Sequence, residues 1–186
     1  MSDYIYVSLE IGGTLPASLV PEFLQSIDED IINKGEEITL NSLKGLNDSL
    51  KINGEANYGL CTHTKEFCME HGLSFINQAE AKCDYNADAT YFVPGMEDVD
   101  SYNTDQNGNA VVRLDQVKPL FELLLELAEH GDKALPKFLN NPAVADLVKD
   151  CLDSPADIIK NIKERLSEVL PQEAPDIPPL IIDETK

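Results

Sequence analysis

The chain has 186 residues, with 34 acidic against 14 basic side chains, a formal net charge of -20 and 42 % hydrophobic residues. That length supports one well-buried core with a decorated end, or one domain plus a small helical appendage, and that much apolar residue assigns the acidity to a folded exterior and not to a disordered tail. So few cations exclude sequence-independent nucleic-acid binding, which displaces counterions with Lys and Arg, and docking on anionic membrane.

In chain order, Ile5, Val7, Leu9 and Ile11 alternate with Tyr4, Tyr6, Ser8 and Glu10, the period of a strand with one buried face. Gly12 and Gly13 end it. Ser18 then serves as the cap of a helix whose Val20, Phe23, Leu24, Ile27 and Ile31 recur at three- and four-residue steps, with Pro21 tolerated in the first turn. Residues 33–49 read as a short strand or turn followed by a loose helical segment. Strands are expected at Leu50 to Tyr58, Leu73 to Asn77, Ala87 to Val93 and Ala110 to Leu114, and a compact helix at Thr62 to His71 burying Phe67 and Cys68 and stopped by Gly72.

From Asp115 the pattern becomes helical. Helices are predicted at Pro119 to His130, from Asn141 and Pro142, and from Ser154 and Pro155, the last with Ser154 and Asp157 at capping-box spacing and a stripe of Ile158, Ile159, Ile162, Leu166 and Val169. The tail from Pro171 to Lys186 holds four prolines and reads as extended. Its segment Pro178 to Ile182 could add as a strand to a partner or to a second copy; folding back on an apolar edge of its own domain is the reading favoured here.

The four cysteines, Cys61, Cys68, Cys83 and Cys151, have no framework spacing, which fits reduced thiols inside a cell. Cys61, His63, Cys68 and His71 form the densest set of zinc-type ligands, but His63 and Cys68 point to different sides of a helix and no paired Cys-x-x-Cys element occurs. Asn103, Asp105, Asn107 and Gly108 match the first half of a calcium loop, whose closing Glu position is Leu114. No Gly-x-Ser-x-Gly elbow or phosphate loop is present, and only three histidines exist, so nothing specific supports catalysis. No cofactor is expected.

Charge is concentrated early. Between Lys82 and Arg113 there is no basic residue, while Asp84, Asp88, Glu97, Asp98, Asp100 and Asp105 fall there. These carboxylates are the candidate surface for a basic protein partner, one that itself binds nucleic acid. The expectation is thus an α+β fold: a mainly antiparallel sheet of four to five strands with two helices in an N-terminal part (residues 1–114), a C-terminal helical layer or small helical bundle (115–170) and a Pro-rich extended tail (171–186). The expected function is a non-catalytic acidic interaction protein, a nucleic-acid mimic or inhibitor of the kind mobile elements use against host defence. A metal-binding protein or metal-assisted enzyme and a self-associating structural component are the alternatives. With no signal pattern at Met-Ser-Asp-Tyr and no apolar run near the roughly 20 residues of a membrane span, a cytoplasmic location is expected.

Overall fold

A computed structural model describes residues 3–35, 37–82, 86–105, 108–112, 114–138, 141–142, 144–145, 155–170 and 174–185. The chain divides into two units, one made of Met1–Ala110 with Ala174–Lys186, the other of Val111–Glu173. The first unit runs β1 (Tyr4–Pro16), α1 (Val20–Asp30), β2 (Ile31–Ile32), α2 (Leu40–Lys44), β3 (Leu50–Asn57), α3 (Thr62–Glu70), β4 (Ser74–Ala79), β5 (Asp88–Phe92), β6 (Asp100–Asn103) and, from the tail, a last strand at Leu180–Asp183 called β7.

The sheet has the order β2-β3-β1-β4-β5-β6, every one of these pairs antiparallel, and β7 joins β1 in parallel. β1 and β2 therefore run parallel with β3 between them, joined through α1, while β3 and β4 run parallel with β1 between them, joined through α3. This is the double split β-α-β arrangement of ferredoxin-like sheets, extended by the β5–β6 hairpin. Such a fold assigns no function by itself.

Alternation along β1 places Ile5, Val7, Leu9 and Ile11 on one face, all buried, where α1 and α3 cover them with Phe23, Ile27, Phe67 and Cys68. Phe23 and Phe67 join the helices at 5.4 Å between ring centroids. The opposite face carries Tyr4, Tyr6, Ser8 and Glu10 on β1 and Lys51, Asn53, Glu55 and Asn57 on β3. α3 has no cap of its own, because Cys61 at its N-cap is in the left-handed region with φ 44° and makes no side-chain bond. Asp30, the last residue of α1, supplies it: Asp30 Oδ2 accepts the Thr64 N–H at 2.7 Å.

The second unit consists, among the described residues, of α4 (Leu114–His130), α5 (Leu135–Phe138) and α6 (Pro155–Val169). Its own core gathers Leu120, Leu123, Leu135, Phe138, Val144, Ile158 and Ile162. No helix is long and apolar enough to cross a membrane among the described residues.

The α+β class and the antiparallel sheet agree with the sequence reading, and several boundaries do not. Seven strands are present among the described residues, because a two-residue β2 and the tail strand both join the sheet. The expected strand at Ala110 to Leu114 is absent among the described residues of that range: Ala110 makes a single bridge to Thr104 and Leu114 starts α4. In its place Asp100–Asn103 pairs with β5. Ser18 is not a cap, since a 3-10 turn at Ala17–Leu19 precedes α1, and Ile31 leaves the helix to start β2. Ile159, 52 % exposed, lies off the buried stripe of α6. The unit boundary falls at Ala110, and the tail returns to the first unit. The capping-box residue Ser154 and most of the helix expected after Pro142 lie outside the described residues.

Candidate partner-binding surface

Strand alternation separates the acidic candidates. Asp88 is opposite Ala79 on β5, on the helix-covered face, near Lys65 of α3, whose Nζ donates to the Thr90 hydroxyl at 3.0 Å. Burial raises the Asp88 carboxyl above its ordinary range, Lys65 partly opposing it, and burial also lowers the Lys65 ammonium. Asp100 is opposite Tyr91 on the other face, and its Oδ2 accepts the Tyr91 hydroxyl at 2.8 Å. Burial, followed by that hydrogen bond, pushes the phenol up to about 12, so Tyr91 stays a donor.

Glu97 and Asp98 are exposed in the turn after Gly95. Asp105 is occupied locally, accepting the Asn109 N–H at 2.9 Å and the Asn109 side-chain amide at 3.0 Å. Asp84 lies outside the described residues, as does Asn107. Asp88 and Asp100 thus do not share one patch, because an even number of residues along the pleat, or an antiparallel partner in register, is what puts two side chains on one face.

The Cys and His candidates also disperse. Cys61 and Cys68 are buried; burial first, and then the Asp30 charge, push the Cys61 thiol up to about 12, and burial alone raises Cys68. His63 turns outward to Asp30, with Nδ1 and Oδ1 at 2.9 Å, and His71 packs on the Phe67 ring at 4.4 Å. Among the described residues no group of three or more His, Cys, Asp or Glu side chains could hold a metal ion.

The structure brings together a different acidic set. Glu22, Gln25 and Glu29 on α1 face His63, Glu66 and Glu70 on α3 across a groove of about 270 Å³ whose floor includes Ser26 and Phe67. Each set follows helical spacing, so each stripe was visible in the sequence. The packing of α1 on α3, which makes two stripes one groove, was not. His63 reports the field there: its pKa is raised by the hydrogen bond to Asp30 and the Asp30 charge, and further by Glu29 and Glu66.

The Asp30 bonds are testable. Asp30→Ala is expected to cost about 1–2 kcal/mol through loss of the α3 cap, read by urea unfolding, and to return the His63 titration seen by NMR toward its ordinary value. An Asp30→Ala protein as stable as wild type would remove the cap. Because His63 is raised in the folded state, its contribution to stability is full below the unfolded pKa and is lost as pH rises through the folded one.

A second depression of about 490 Å³ lies on the open face of the sheet, lined by Tyr6, Ser8, Gln78, Glu80, Thr104 and Asp105 among others. It is polar without a charged cation or a convergent metal-type set. Comparison of the chain with protein-family models, curated proteins and solved structures gave no match.

Proposed function

We propose that the protein is a non-catalytic acidic interaction protein whose first unit binds a basic surface on a protein partner. The observation that carries this reading is where the charge sits. The first unit holds 22 acidic and 6 basic residues, a net of -16, against 12 acidic and 8 basic in the second, a net of -4. Within that field the α1–α3 groove lines up Glu22, Glu29, Glu66 and Glu70. A surface with this potential attracts a partner rich in Arg and Lys, and steers it over distances set by the ionic strength. Proteins whose basic surfaces ordinarily take nucleic acid are the partner class that fits, which makes the protein a mimic of phosphate charge and an inhibitor of such an enzyme.

The test is affinity co-purification from the native host with washes of rising salt, followed by mass spectrometry. A basic nucleic-acid-binding protein that elutes at moderate salt and is displaced by DNA or RNA is the expected result. The double charge reversal Glu29→Lys with Glu66→Lys is expected to weaken that capture by roughly tenfold or more. Capture that persists in high salt and through the reversal would overturn the reading.

A further inference from the structure

The outer edge of β6 shows a use for the acidic run that partner binding does not explain. Thr104 donates its N–H inward to the Ala87 carbonyl at 3.0 Å, and Asp100–Asn103 continues the same register, from Asp88 opposite Asn103 to Tyr91 opposite Asp100. Backbone polar groups alternate in direction along a strand. Those of Asp100 and Tyr102 therefore turn toward β5, and those of Val99, Ser101, Asn103 and Asp105 turn outward.

β6 is the last strand of the sheet path. Its outward N–H groups from Val99 to Asn103 stand where a further strand would add, while beyond them Ala110 already bridges Thr104. Three of the four are taken within the chain. Asp98 Oδ1 accepts from Val99 at 2.8 Å, Asp100 Oδ1 accepts from Ser101 at 2.8 Å, and the Asn109 carbonyl accepts from Asp105 at 2.8 Å. In the first two the carboxylate of one residue closes the N–H of the next, repeated at the two-residue period of the strand.

We propose that Asp98 and Asp100 guard the β6 edge against strand addition by a second copy of this chain. Each acts in two ways. Its oxygen occupies the N–H that an incoming carbonyl would need, and its charge repels the same carboxylates on the other copy. Two β6 edges meeting about a two-fold axis in antiparallel pairing would bring Glu97, Asp98, Asp100 and Asp105 of both copies close together, where like charges oppose pairing. This inference stands apart from the proposed function: it concerns the edge of the sheet, not the α1–α3 groove.

Sedimentation velocity of the full chain over a range of concentrations tests it, with circular dichroism and thermal melting to show that each variant is folded. Asp98→Ala with Asp100→Ala is expected to strengthen self-association by about tenfold or more relative to wild type. Adding Asn103→Pro, which removes an outward N–H where an edge strand tolerates proline, is expected to abolish that gain. Asp98→Asn with Asp100→Asn keeps an acceptor oxygen and loses the charge, so a smaller gain is expected. The proposal is overturned if the alanine pair sediments as wild type does, if its association survives Asn103→Pro, or if wild type already associates in a way that Asn103→Pro abolishes. Should the alanine pair fail to fold, the asparagine pair decides: no gain in association overturns the guard.

Discussion

Replacing Gly12 by alanine is expected to destabilise the protein by about 3 kcal/mol, the scale of re-exposing the buried side chain of the tail strand with its neighbours. A Cβ at Gly12 would lie 1.7 Å from the Pro178 carbonyl oxygen, 2.8 Å from its carbon and 2.9 Å from Ile177 Cγ2. Two of these are backbone atoms, so no side-chain rotation relieves them and the tail has to move. What it would give up lies next to this contact: Gly13 N–H to the Pro179 carbonyl at 3.1 Å, Leu180 N–H to the Asp48 carbonyl at 3.1 Å, the parallel pairing of β7 with Gly13–Pro16, and the burial of Leu180. Lys44 and Glu184 form an ion pair over the same joint. The measurement is urea unfolding of four chains: wild type, Gly12→Ala, a truncation removing 174–186, and the two changes combined. If the tail carries the effect, the truncation costs a similar amount and the combination adds little. A Gly12→Ala change equally costly in the truncated chain would place the strain inside β1 instead.

Asn77→Asp is expected to cost about 3 kcal/mol or more at neutral pH, the scale of an uncompensated buried charge. Asn77 is 1 % exposed on the helix-covered face of β4, where its Nδ2 donates to the Gly59 carbonyl at 2.9 Å. Aspartate would meet that carbonyl with an oxygen and bring a charge into the core. Its carboxyl would be driven above the ordinary range, so the variant's deficit is expected to shrink as pH falls through that raised value. Denaturant unfolding at neutral and mildly acid pH reads both effects, and equal stability to wild type at neutral pH would refute them. Asn77 Oδ1 is buried with no hydrogen-bond partner among the described residues. The site therefore already carries a cost that an added charge compounds.

The parts of the fold read most directly from the residues are those in which one face is apolar. β1 alternated cleanly and is buried at each odd position from Ile5 to Ile11, and Gly72 ends α3 with φ 67° as its place before Leu73 suggested. β6 escaped because Asp100, Ser101, Tyr102 and Asn103 have no apolar alternation: an edge strand with both faces largely open needs none, and its evidence is a backbone ladder that side-chain patterns do not reveal. Ala110 to Leu114 misled for the opposite reason, since its apolar residues lead into a helix. For the surface, the acidic run at residues 84–105 was conspicuous as a count, yet the strand pleat sends Asp88 and Asp100 to opposite faces and local hydrogen bonds engage Asp98, Asp100 and Asp105. The carboxylates that converge belong to two helices separated by more than thirty residues of chain, and their meeting depends on Phe23 packing against Phe67.

The joint between β1 and β7 also bears on the order in which the molecule can be completed. The helical unit, Val111–Glu173, is spliced into the sheet unit, which starts before it and finishes after it. A ribosome delivers Leu15 long before Ile182, the residue that pairs with it. Through the synthesis of everything between them the C-terminal end of the central strand waits without its parallel neighbour. Closing so long a loop adds only slowly to the entropic cost of folding, but it makes docking of the tail a non-local and late step. The sheet is in this sense a clasp: a cut in the spliced-in unit would leave two pieces of chain still held to each other by strand pairing, whereas losing the last dozen residues would leave the Gly13–Pro16 end of the middle strand without its parallel partner.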